Sequence, residues 1–127
     1  VQIPRQVDAT INRALDFLEE AEMGYRKAVE FGDYELDTWL YWIDILQNLG
    51  EYDAAIHTLL QASEYFPEEF QLEYRLAGLY FAEGDEAKGK FHLSNGLRVS
   101  FENHTILENL FPDVWAREDV QEMINKK

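Results

Sequence analysis

The residues best equipped for chemistry in this chain are three histidines, His57, His92 and His104, and each stands alone. Asp53 precedes His57 by one helical turn, a spacing suited to a general-base pair or half of a metal site. No nucleophile or third ligand falls at a telling distance from them, so the pair reads as a solvated helix face. His92 and His104 would need the fold to bring them together with a carboxylate, since no HxxxH spacing joins them. The stretch "GDEAKGK" at 84–90 has glycines and lysines but follows a helical pattern rather than a strand. It is expected as an inter-helix turn and the start of the next helix, not a phosphate cradle. The absence of cysteine removes disulfides and thiolate ligands. These residues argue against an enzyme, and neither cofactor nor metal is expected.

What must position any site is a chain of 127 residues, enough for one domain with a buried core. Three Trp, seven Tyr and eight Phe supply that core and argue against disorder. The net charge of −14 disfavours nucleic acid and anionic membranes as partners. It is unevenly spread: between Leu36 and Glu69 there are seven acidic residues and no Lys or Arg. That stretch is either a solvated face or an attraction for a basic partner. Apolar runs are too short for a membrane span, and no signal peptide opens the chain, so the default expectation is cytoplasmic. The first residue is Val1 rather than Met, which is expected of a processed form or a piece of a longer protein.

Helical periodicity runs nearly end to end. A first helix is expected over about Val7 to Phe31, with Ile11, Leu15 and Leu18 on one stripe. Trp39, Trp42, Ile43 and Leu46 then recur at the spacing of a buried helix face, which Gly50 ends. The next helix, about Tyr52 to Tyr65, buries Ala55, Ile56, Leu59 and Ala62. Pro67 suits the first position of another helix, running to about Glu83 through Leu72, Leu76, Ala77 and Tyr80 and stopped by Gly84. Helices over about Glu86–Val99, Asn103–Leu110 and Arg117–Ile124 complete the pattern, with Val114 and Trp115 packing where the last begins.

The stops are periodic. Gly50 and Gly84 lie 34 residues apart, and the same shift places Ile43 on Ala77, Leu46 on Tyr80, Leu59 on Leu93 and Ala62 on Gly96. Shifting Ala55, Leu59 and Ala62 back by the same step gives Ala21, Tyr25 and Ala28. Two helices per 34 residues resembles the tetratricopeptide repeat. The unit Leu36 to Glu69 carries that family's early aromatic (Trp39), its glycine-acid-tyrosine turn (Gly50, Glu51, Tyr52), its small residues (Ala55, Ala62) and its closing proline (Pro67). The unit Phe70 to Asn103 keeps Gly84, Gly89 and Gly96 but departs at Glu73 and Phe101, where an aromatic and a proline should stand. The resemblance implies an all-α fold, a right-handed α-α superhelix, with a degenerate unit at 2–35, repeats at 36–69 and 70–103, and a C-terminal cap at 104–127 like those closing bacterial members. Ala55 and Gly89 are expected where paired helices approach closely. Ala55→Leu should then cost about 1–3 kcal/mol through overpacking, and an unchanged denaturation midpoint would count against the repeat.

In the family, the first helix of each unit lines a concave groove. Carried onto this chain, that groove holds Leu40, Tyr41, Asp44 and Gln47, then Gln71, Tyr74, Arg75, Gly78 and Phe81. Either these receive an extended or helical peptide, in which case Tyr74→Ala should abolish binding without loss of stability, or neighbouring helices cover some of the aromatics. Family members that bind chaperone C-terminal carboxylates do so through lysines and asparagines. Leu40 and Asp44 stand at the matching positions with Arg75 alone beside them, so that clamp is broken and a neutral or basic ligand is favoured. The implied function is noncatalytic protein or peptide binding. The alternatives are a segment for assembly or self-association within a longer repeat protein, and a regulatory domain attached to a catalytic one.

Overall fold

The computed structural model describes residues Leu36 to Lys126, which are all-α, with no strand among them. The expected first helix and the degenerate unit at 2–35 lie outside the described residues. Four long helices come first: α1 (Leu36–Asn48), α2 (Tyr52–Tyr65), α3 (Phe70–Ala82) and α4 (Glu86–Val99). A 3₁₀ turn (Phe101–His104) then leads to three short ones, α5 (Thr105–Leu110), α6 (Pro112–Trp115) and α7 (Glu118–Asn125).

The boundaries of α1 and α2 recur in α3 and α4 at a constant offset of 34 residues, at both ends of each helix. The turns recur too. After α1, the N–H groups of Gly50 and Glu51 donate to the carbonyls of Gln47 and Leu46 at 3.0 and 2.9 Å. After α3, those of Gly84 and Asp85 donate to Phe81 and Tyr80 at 3.1 and 2.9 Å. Both are Schellman caps. They need a left-handed residue after the helix, and Gly50 and Gly84 supply it with φ of 77° and 86°. Asp85 caps the start of α4, its Oδ1 accepting from Lys88 N at 3.2 Å.

Pro67 does not begin a helix. Glu68 adopts φ 59°, outside the right-handed helical region, so Pro67 and Glu68 form a turn and α3 starts at Phe70, with Glu69 at the N-cap. Pro112 opens α6 at its first position, where its missing N–H costs nothing. The helix expected over Asn103–Leu110 is divided between the 3₁₀ turn and α5.

The core follows the helical stripes. Trp39, Trp42, Ile43 and Leu46 are buried from α1, Ala55, Leu59 and Ala62 from α2, and Leu93 and Leu97 from α4. Ile56 is only partly buried, whereas Thr58, polar and unexpected there, is buried with its hydroxyl donating to Ala54 O at 2.8 Å. Helix α3 is the central member, buried almost all round and packed against α2, α4, α5 and α6.

Glycines admit the rings of α3. A Cβ on Gly89 would lie 2.8 Å from the Phe81 ring, and one on Gly96 would lie 2.9 Å from the Tyr74 ring. The helices close at these points through an aromatic face laid on bare backbone. One unit earlier the same positions hold Gln47 with Ala55 and Leu40 with Ala62. Where the side chain facing the second helix grew, the residue beneath it shrank.

Candidate functional site

Two outward helix faces were expected to form one groove, and they have different fates. On α1, Tyr41 is 67% exposed, and Leu40, Asp44 and Gln47 are partly exposed. On α3, Gln71 is partly exposed, but Tyr74, Arg75, Gly78 and Phe81 are buried.

The covering has a local cause in each case. Gly78 lies beneath Phe111, whose ring occupies the space a Cβ there would need. Phe81 is held between Gly89 and the guanidinium of Arg117, which sits 4.7 Å from the ring centroid. Arg117 is fixed there by Asp119, through 3.0 Å bonds to both carboxylate oxygens, and by Glu86 Oε1 at 2.8 Å. These bonds, led by that to Asp119, raise the Arg117 pKa, and Arg117 in turn holds the Asp119 carboxyl below its usual range. The segment that follows α4 therefore closes over the part of the face that α3 would have offered.

Tyr74 is fully buried, and its hydroxyl donates to Ser100 O at 2.7 Å. It is a core residue, so Tyr74→Ala is expected to destabilise the fold and cannot report on binding alone. Burial, helped by the negative charge of Glu102, pushes its hydroxyl pKa up to about 12 from the ordinary 10.0. The raised value means the folded state holds this proton more tightly. The associated stability is complete below pH 10 and is lost as pH climbs towards 12, by about 2–3 kcal/mol. Chemical unfolding between pH 9 and 12 should show this fall, and Tyr74→Phe should flatten it. An equally steep fall in Tyr74→Phe would assign it to other groups.

Arg75 joins the two faces. Its Nη1 donates to Gln71 Oε1 at 2.7 Å and to Gln71 O at 3.2 Å, and its Nε donates to Asp44 Oδ1 at 3.4 Å. The Arg75 side chain is 9% exposed against 43% for that of Asp44, so the cation is hidden and the carboxylate faces water. Gln47 lies beside this seam in sequence register, and its Oε1 is buried without a hydrogen-bond partner among the described residues.

The histidines are dispersed. His57 and Asp53 are both exposed on α2. His92 Nδ1 lies 2.8 Å from Glu73 Oε2, which also accepts from Asn95 Nδ2 at 3.3 Å, and the imidazole stacks on Tyr80. His104 lies flat against Trp115, with Nδ1 2.6 Å from Phe101 O. Among the described residues no three metal-ligating side chains converge. No helix among them is long and apolar enough to cross a membrane.

Sequence reasoning missed Phe111, Ser100 and Arg117 as determinants of this face. The available signal was Gly78, a glycine inside a helix, which marks a place where something large comes close.

No family model, curated protein or solved structure matches this chain.

Proposed function

We propose that this chain is a tetratricopeptide-like helical-repeat scaffold, a right-handed superhelix of antiparallel helix pairs that binds a protein or peptide without catalysis. Support for the scaffold comes from the constant 34-residue offset of four helices and two capped turns. The observation that carries the binding function is the open face of α1, where the exposed Tyr41 stands near the partly exposed Asp44, with Gln71 of α3 partly exposed in the adjoining unit. An exposed aromatic near a carboxylate and a carboxamide suits an extended peptide or a helix in a groove. The broad excess of acid, −14 over the chain, argues against nucleic acid as the partner.

The test is a peptide library, neutral and basic sequences included, presented to the full chain. Binding is expected, with Tyr41→Ala weakening it about tenfold and leaving the unfolding midpoint unchanged, because the ring is 67% exposed. No binding across the library would refute this reading.

A second reading, self-association or assembly into a longer array without a peptide ligand, is favoured by the C-terminal part of the described residues. There, α4 and α7 enclose a shallow depression of about 510 Å³ lined by Ser94, Leu97, Arg98, Met123 and Lys126. A mass by light scattering that rises with concentration would support it, and a constant monomer mass would oppose it.

A further inference from the structure

We infer that the open face of α1 receives a basic, extended peptide whose Lys or Arg residues stand three positions apart. The inference rests on the peptide-binding reading above and specifies the chemistry of the ligand.

Asp37, Tyr41 and Asp44 follow one another at spacings of four and three, so they share one face of α1. That face lies opposite the buried Trp39, Trp42, Ile43 and Leu46. Asp37 and Tyr41 are exposed and Asp44 is partly so. An exposed phenol ring between two carboxylates offers a cation both a π-face and negative charge.

Asp44 already shows the contact in one direction. Its Oδ1 accepts from the Arg75 guanidinium approaching from α3, while the carboxylate keeps 43% of its surface open. Arg75 spends its charge inward, on Gln71 and Asp44, and is itself only 7% exposed. Among the described residues Arg75 is the cation paired with this face, and residues 36–69 themselves contain no Lys or Arg. The charge of Asp37 and the exposed side of the Asp44 carboxylate are left for a partner to complement.

The spacing follows from the two backbones. Seven helical residues from Asp37 to Asp44 cover about 10 Å at ~1.5 Å each. Three residues of polyproline II chain cover about 9 Å at ~3.1 Å each and complete one turn, so the side chains at i and i+3 point the same way. A peptide in this conformation running along α1 with basic residues at i and i+3 would set one cation beside each carboxylate, with its backbone passing Tyr41 between them.

The probe is a fluorescein-labelled peptide of about nine residues with two arginines three apart, read by fluorescence polarisation at low salt. Two controls carry glutamine at both arginine positions, or the two arginines adjacent to one another. The arginine peptide is expected to bind at least about tenfold more tightly than the glutamine form, with affinity falling as salt rises. Asp37→Asn should weaken it about threefold and Tyr41→Ala about tenfold, both with unchanged unfolding midpoints. Adjacent arginines should bind more weakly than spaced ones.

Equal binding of the arginine and glutamine peptides would overturn the inference while leaving the peptide-binding reading intact. So would arginine-peptide binding indifferent to Asp37→Asn and Tyr41→Ala, because it would place the basic contact elsewhere. Failure of every library peptide as well would bring down both.

Discussion

Replacing Trp39 with alanine is expected to lower the free energy of unfolding by about 3–5 kcal/mol. The indole is 1% exposed in the first half of α1, and its ring lies 5.6 Å from that of Tyr65 at the far end of α2. It thus packs the open end of the first hairpin, opposite the Gly50 turn. Removing it deletes one of the two largest buried side chains of that unit and leaves a cavity between helices already fixed at their other end. Single domains hold about 5–15 kcal/mol in all, so the loss would consume much of the margin. Urea unfolding followed by far-ultraviolet circular dichroism measures it without relying on tryptophan emission. Trp39→Phe, which keeps an aromatic in place, should cost less than half as much. A loss under about 1 kcal/mol for Trp39→Ala would mean that the two helices do not depend on this contact.

The second large effect is a change of sign. In an ordinary helix, Gly→Ala gains about 1 kcal/mol. At Gly78 the same change is expected to cost about 1–3 kcal/mol, because the new methyl would overlap the Phe111 ring. Phe111 is itself 8% exposed, so Phe111→Ala alone should cost about 3–5 kcal/mol. With the ring gone, the alanine at position 78 has room, and its helix propensity should again be favourable. The double variant is then more stable than Phe111→Ala alone, with a coupling of about 2 kcal/mol or more. Additive effects would show that Phe111 does not occupy the space above Gly78. This cycle also tests why the face of α3 is closed, since that closure depends on the same ring.

The contrast between α1 and α3 explains how much could be read in advance. Trp39, Trp42, Ile43 and Leu46 announced their burial through spacing, and Gly50 and Gly84 announced their turns, because both signals are local. The limits of α2 and α4 followed for the same reason. The fate of Tyr74, Gly78 and Phe81 was not local. It depends on Ser100, Phe111 and Arg117, up to 36 residues further on, and nothing in a helical period says which later segment will return. Thr58 was missed because a hydroxyl that bonds to its own helix, at Ala54 O, can be buried without disturbing the apolar pattern. At Pro67 two rules competed: proline fits a helix start, but it also fits a turn, and the positive φ of Glu68 decides for the turn.

The pairing of large rings with glycines in the second hairpin carries a consequence for how such a chain can change. Phe81 with Gly89 and Tyr74 with Gly96 correspond to Gln47 with Ala55 and Leu40 with Ala62. Although the two hairpins share a backbone plan, their halves are no longer interchangeable parts. Exchanging α2 for α4 would put methyl groups under the rings of one hairpin and bare backbone under the smaller residues of the other. One hairpin would be forced apart and the other left hollow. Each first helix is tied to its own second helix, so the unit that can be duplicated, shuffled or transplanted is the whole hairpin and nothing smaller.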